Sequence, residues 1–109
     1  MPNVMPINDV VFRCERLRGA GRLEETETLC RRVLVQVAAH GGLLFQSAAA
    51  AFATVEPRVA LDRFKRVRVI MPGASAVHYN IGVCERRIGR HDAASRHLRK
   101  AQFLEPGAA

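Results

Sequence analysis

An all-α, right-handed αα-superhelix (a solenoid) built from three helical hairpins is the fold class this sequence predicts, and three observations predict it. Apolar residues between Ser75 and Pro106 recur at helical spacing: Val77, Ile81 and Cys84 come first, then Ala94, Leu98, Ala101 and Leu104, with Gly89 between the two sets. That is the pattern of two amphipathic helices joined by a tight turn. The pattern also has a period. Ala94, Leu98, Ala101 and Pro106 have counterparts 34 residues upstream in Ala60, Phe64, Val67 and Pro72, and 34 further upstream in Thr26, Cys30, Val33 and Ala38. Finally, the glycines other than Gly82 sit at the turns this period defines, where a helical repeat needs them.

Residues 1–6, with Pro2 and Pro6, read as an extended lead-in, because proline disfavours helix at the residue before it. The repeats then occupy about 7–40, 41–74 and 75–108. Asn8 or Asp9 is expected to cap the first helix, which runs to about Arg18 and ends at Gly19-Ala20-Gly21. The second opens near Leu23, with Glu24 and Glu25 in its first turn and Arg31 and Arg32 later, an order of charges that complements the helix dipole. It is expected to stop by Gly41-Gly42. The third runs from Leu43 to about Thr54, and its small residues Ala48 to Ala51 let a neighbouring helix approach closely. Pro57 falls in the first turn of the fourth helix, where its fixed φ and missing N–H are harmless. That helix runs to about Ile70 and is broken by Met71-Pro72-Gly73. Ser75 is expected to cap the fifth helix, and Asp92 to cap or begin the sixth, which ends before Pro106.

A 34-residue helix-turn-helix period resembles the tetratricopeptide repeat. Ile81-Gly82, Gly89, Ala94, Ala101 and Pro106 are similar to that family's characteristic positions. Gly21-Arg22-Leu23-Glu24-Glu25 and Leu29-Cys30-Arg31-Arg32-Val33-Leu34 resemble its usual second-helix wording. The resemblance covers about Ile7 to Ala108. It departs from the family pattern at Val55 and Ser47 in the middle copy and at Arg13, Thr26 and Ala38 in the first.

A chain of 109 residues makes one small domain, and at 49% hydrophobic and 25% charged its composition is that of a soluble globular protein. Three hairpins are about the minimum for a stable repeat array. The net charge of +7 comes almost entirely from arginine, with Lys65 and Lys100 the two lysines, and it raises the question of an anionic partner. The amino terminus MPNVMPIN lacks a basic and an apolar region of the secretory kind, and no run approaches a bilayer span. A cytoplasmic protein with no membrane partner is the expectation. Cys14, Cys30 and Cys84 fit no disulfide framework in number or spacing and read as buried thiols, although Cys14 and Cys30 lie on opposite helices of one hairpin and are placed to approach each other.

No catalytic constellation is present in the sequence. His40, His78, His91 and His97 share no metal-ligand spacing with each other or with the cysteines, and no HExxH, CxxC or phosphate-loop pattern occurs. Neither a metal nor a cofactor is expected, and the chain does not read as an enzyme. The resemblance instead implies a protein–protein interaction module, an adaptor, scaffold or chaperone-like domain, that holds a partner peptide on a concave face lined by the first helix of each hairpin. The positions the family turns inward are Val11, Phe12, Glu15 and Arg18; Phe45, Gln46, Ala49 and Phe52; and Tyr79, Asn80, Val83, Arg86 and Arg87. Aromatics with amides between them and arginines at the rim suit a peptide carrying acidic residues. Of the lysine, arginine and asparagine set with which some members hold a terminal carboxylate only Asn80 matches, since Val11, Glu15 and Ala76 depart from it. A chaperone-tail clamp is not expected.

Two further surfaces follow from the register. Arg31-Arg32, Lys65-Arg66 and Arg99-Lys100 stand 34 residues apart and form a dibasic ladder on the second helices, with Arg63, Arg68 and Arg96 nearby. It is either a solvated convex face or a site for a polyanion such as nucleic acid, although no aromatics are interleaved with it to stack bases. The second surface is the outer side of the third hairpin, where Ile88, Leu98, Ala101 and Leu104 continue a packing pattern that would meet a fourth hairpin. From that edge self-association is expected, most simply a two-fold homodimer through the third repeat, or else docking on another protein there. A detached regulatory module serving an enzyme is the remaining alternative.

Overall fold

The computed structural model describes residues 6–37, 40–54 and 56–105. Six α-helices follow one another among them: α1 (Ile7–Gly19), α2 (Leu23–Leu34), α3 (Gly41–Ala53), α4 (Pro57–Ile70), α5 (Ser75–Ile88) and α6 (His91–Leu104). Each packs on the next, and α1 also packs on α3. The result is an elongated αα-solenoid of three hairpins, 50 × 25 × 22 Å. The expected lead-in lies largely outside the described residues, as do Ala38, Val55 and Pro106.

The turns inside the first and third hairpins are the same device. Gly21 (φ 77°) and Gly89 (φ 94°) adopt the left-handed conformation. Arg22 N–H bonds Leu17 C=O at 2.9 Å while Gly21 N–H bonds Arg18 C=O, and Arg90 N–H bonds Glu85 C=O at 2.8 Å while Gly89 N–H bonds Arg86 C=O. This paired closure is the Schellman motif, which satisfies the last carbonyls of the helix. Pro57 stands at the start of α4, as its fixed φ predicts.

Several expected helix ends move. Helix α1 begins at Ile7 after Pro6, and neither Asn8 nor Asp9 caps it, because both are already inside its first turn. Helix α2 stops at Leu34, within the expected limit of Gly41-Gly42. Those two glycines instead open α3, capped by His40, whose Nδ1 accepts the Leu43 N–H at 3.3 Å. A β-carbon on Gly41 would sit 2.6 Å from Met71 Sδ, so the side chain at α4's end lies directly against this glycine. Ser75 does not cap α5. It is the first helical residue, and its hydroxyl donates to Ala101 C=O at 2.9 Å, tying the start of α5 to the end of α6.

The core forms two clusters, one in the first hairpin that reaches Leu43 of α3 and one across the second and third, and the contact within each hairpin is filled in its own way. The register that aligns Cys14, Ala48 and Gly82 on the first helices aligns Cys30, Phe64 and Leu98 on the second. In the third hairpin Gly82 admits Leu98, since an added β-carbon would lie 2.8 Å from Leu98 Cγ. In the second, Ala48 and Phe64 are both buried, and Phe64 also receives Phe45 edge-to-face at 5.4 Å between ring centroids. In the first, two thiols meet at 3.4 Å. A small residue facing a large one, or two of middle size, keeps the interhelix gap filled.

Candidate functional site

The first helices α1, α3 and α5 carry every residue expected to line the concave face, and the structure divides them into two groups. One group is occupied in holding the hairpins together. The Arg18 guanidinium donates through Nε to Gln46 Oε1 at 3.0 Å, which satisfies a side chain that is buried and joins α1 to α3. The Arg87 guanidinium lies 4.5 Å above the Phe52 ring and joins α5 to α3 by a cation–π contact. Phe45 packs on the core through Phe64, and Val83 is buried.

The other group is accessible. Phe12 is 60% exposed and Tyr79 51%, high values for large apolar rings. Glu15 and Arg86 are exposed as well, and Val11, Ala49 and Asn80 are half-buried. Tyr79 also forms a wall of a cavity of about 500 Å³, with Ser75, Ala76, Leu98, Ala101, Gln102 and Glu105. One repeat upstream the equivalent surface contains Phe64 and Val67, and these share a core with Val77, Ile81 and Cys84 of α5. Of the edge residues expected to be open, Ala101 is buried, while Ile88, Leu98 and Leu104 are half-buried.

Polar groups that the sequence placed beside the ladder, Arg63 and Arg68, or left without a role, His97, bind the second helices to each other. Leu29, Arg63 and His97 share one register position. Arg63 donates to Glu27 Oε2 at 2.8 Å on α2 and to the Ser47 hydroxyl at 2.9 Å on α3. His97 Nδ1 lies 2.5 Å from Glu85 Oε1 and 3.1 Å from Ala93 C=O, so with two acceptors beside it that nitrogen carries the proton. Nε2 is then left to accept from Arg68 at 3.3 Å, which links α6 to α4. His78 stacks on His97 at 6.2 Å and donates through Nε2 to Pro72 C=O. A 34-residue alignment of the three copies, read for polar residues at apolar positions, is the signal that finds these groups.

In the dibasic ladder Arg31, Arg32, Arg66, Arg99 and Lys100 are exposed and Lys65 is half-buried. Asp62 approaches Arg66 at 3.6 Å, an exposed pair of the kind that contributes little. The expectation of no aromatic beside the ladder needs correction: Phe103 follows Arg99 by one turn and is 78% exposed.

All three thiols are buried and free. Burial pushes Cys84 up to about 11. Burial also raises Cys14 and Cys30, and for Cys30 the hydrogen bond with Cys14 raises it further. These thiols are therefore neutral core groups. Among the described residues no group of three or more His, Cys, Asp or Glu side chains is arranged to hold a metal ion. No helix among them is long and apolar enough to cross a membrane.

The sequence matches no family model and no curated protein. Solved structures do match the fold. One described as the crystal structure of MamA superposes with a TM-score of 0.85 at 17% identity over 94% of this chain. A point mutant of MamA gives 0.81 at 21% identity over 93%, and a MamA RS-1 ArsTM double mutant 0.79 at 16% over 87%. The chain spans 60%, 74% and 54% of those three chains. Likeness at this level of identity identifies the architecture, a helical-repeat solenoid.

Proposed function

We propose that this chain is a cytoplasmic, non-enzymatic protein–protein interaction module, a scaffold or adaptor, that takes a partner segment along the face of its first helices. The observation that carries the reading is the pair of exposed aromatics on those helices, Phe12 and Tyr79, accompanied by the amide of Asn80 and the exposed guanidinium of Arg86. Aromatic rings supply binding area at low entropic cost, an amide pairs with an extended backbone, and a guanidinium selects a carboxylate. A partner peptide bearing one or two acidic residues fits this set. Arg18, Gln46, Phe52 and Arg87 hold the groove's shape from behind, and Phe45 belongs to the core.

The cavity beside Tyr79 supports a second element of the reading, self-association. It repeats the surface that α5 covers one hairpin upstream. A helix from a second copy, laid in the position of α5, would fill it.

The test is capture of partners from the native cell by the wild type and by Phe12→Ala, Tyr79→Ala and Asn80→Ala combined. These residues lie outside the buried core, so helical content by circular dichroism is expected to stay unchanged while the specific partners are lost. Retention of the same partners at the same yield would show that the concave face is not the binding surface. Light scattering on Ala76→Glu, which places a charge at the cavity mouth, tests the dimer separately. If wild type and variant are both monomers at tens of micromolar, the self-association reading fails and the peptide reading stands.

A further inference from the structure

At the ends of the second helices one register position is apolar and strongly exposed in all three hairpins. Val35, Val69 and Phe103 are 34 residues apart and are 80%, 79% and 78% exposed. Near-equal exposure at one register position in all three hairpins marks a surface feature of the array. Each residue lies four positions after the first member of a dibasic pair, Arg31, Lys65 or Arg99, and so sits about 6 Å further along the same helix face.

Consecutive helices are antiparallel, so the ends of α2, α4 and α6 emerge at one edge of the solenoid. Two contacts fix this edge: the start of α3 meets Met71 at the end of α4, and the start of α5 meets Ala101 near the end of α6. Arg63–Glu27 and Arg68–His97 tie the three second helices into one layer. Residues 31–37, 65–71 and 99–104 contain seven Lys or Arg (Arg31, Arg32, Lys65, Arg66, Arg68, Arg99 and Lys100) and no Asp or Glu, Glu105 being the first carboxylate beyond them. Most carboxylates of the second helices, Glu24, Glu25, Glu27 and Asp92, lie toward their starts.

We propose that this edge is a peripheral docking surface for an anionic lipid bilayer. Val35, Val69 and Phe103 enter the boundary between headgroups and acyl chains, while the dibasic pairs one turn behind meet the phosphates. Apolar side chains lying deepest with cations at headgroup level are the arrangement that anionic interfaces reward. No spanning segment is required. Cations in the last turn of a helix also complement its dipole, but that role gives no reason for an exposed valine or phenylalanine beyond them. Nucleic acid is disfavoured because two of the three apolar residues are aliphatic and cannot stack on bases. A folded acidic partner is disfavoured because Val35, Val69 and Phe103 line none of the cavities found among the described residues. Protruding apolar side chains without a groove, joined by the partly exposed Val37, Ile70 and Met71, suit a medium that flows around them.

Co-sedimentation of the 109-residue chain with phosphatidylcholine vesicles, with and without phosphatidylserine, tests the proposal. Binding to the phosphatidylserine vesicles is expected, together with its loss at high salt. Val35→Ser, Val69→Ser and Phe103→Ser combined keep the net charge and are expected to weaken binding roughly tenfold. Replacing the six ladder cations with glutamine should remove binding altogether. Circular dichroism and melting curves check that each variant is folded, and Phe103→Ser alone serves if the triple variant is not. The proposal is overturned if phosphatidylserine vesicles do not bind at low salt, or if the serine variant binds them as well as wild type does. Tighter binding to duplex nucleic acid or polyglutamate than to the vesicles, indifferent to the serine changes, would overturn it in favour of a plain polyanion site.

Discussion

The first and third hairpins share a register and a turn, yet they are held together by different chemistry. In the first, α1 and α2 bury Val10, Cys14, Thr26 and Cys30, and Leu29 packs half-buried against that cluster. In the third, α5 alone buries seven residues, Gly82 lets Leu98 into the seam, and His97 stands in leucine's place with a hydrogen-bonded link to Glu85 and Arg68. The comparison teaches that a repeat keeps the spacing of its helices rather than the means of filling the gap. The third hairpin reaches that spacing through close approach and a satisfied polar network, the first through two mid-sized thiols and aliphatic contacts.

The sharpest way to break this contrast is at the shared register position. His97→Ala leaves the buried carboxyl of Glu85 without its hydrogen-bond donor and is expected to cost about 2–3 kcal/mol, the scale of losing a hydrogen bond to a buried charged group. Leu29→Ala, at a half-buried site, is expected to cost about 1–2 kcal/mol. Urea unfolding of both variants decides; equal losses would mean that the network holds the third hairpin no better than a leucine would.

Alkaline pH separates the hairpins next. Below the ordinary thiol value of 9.0 all three cysteines are protonated in the folded and unfolded chain alike, and no stability is lost. Above it the unfolded chain releases protons that the fold retains, so stability falls by about 1.4 kcal/mol per pH unit for each raised thiol. For Cys84 the loss is complete once pH passes its folded value of about 11, a total of roughly 2–3 kcal/mol. The first hairpin holds two such thiols and is expected to open first, seen as earlier amide exchange in α1 and α2 at about pH 10 than in α5. Cys30→Ala should flatten the pH dependence, and a wild type whose stability is level to about pH 10 would show that thiol burial contributes little.

The smallest effect sharpens the packing argument. Gly82→Ala sets a β-carbon 2.8 Å from Leu98 Cγ and 3.2 Å from Ala94 C=O. Overpacking costs about 1–3 kcal/mol and the gain in helix propensity returns about 1, so a net loss near 1 kcal/mol is expected in thermal melts. Leu98→Val should recover part of it if the seam is the cause. A neutral or stabilising Gly82→Ala would show that the seam has room and that the glycine is there for another reason.

Much of the architecture was legible in the residues. The interval of 34 aligned the three seams, Gly21 and Gly89 marked left-handed turns because a side chain there is strained, and Pro57 marked a helix start because it lacks an N–H that the first turn has no use for. Helix ends were less legible: Gly41-Gly42 resembles a break, but the pair opens α3, with Gly41 against Met71 and Gly42 against His40 and Val11, and His40 acts as a cap only because α3 begins beside it. The site was half legible. The register placed Phe12, Tyr79, Asn80 and Arg86 on the first helices, where the structure leaves them accessible, but it placed Arg18, Gln46, Phe52 and Arg87 there as well, and these are engaged with one another. Sequence by itself determined what depends on spacing along one chain: the period, the turns, the face of each helix that turns inward, and the dibasic ladder. Tertiary structure decided what depends on distances between chain segments, namely which polar side chains find partners across helices, as Arg63 and His97 do, and which apolar ones, such as Val35, Val69 and Phe103, are left in solvent. Periodicity fixes direction around a helix axis, whereas satisfaction and exposure are set by neighbours that the axis does not specify.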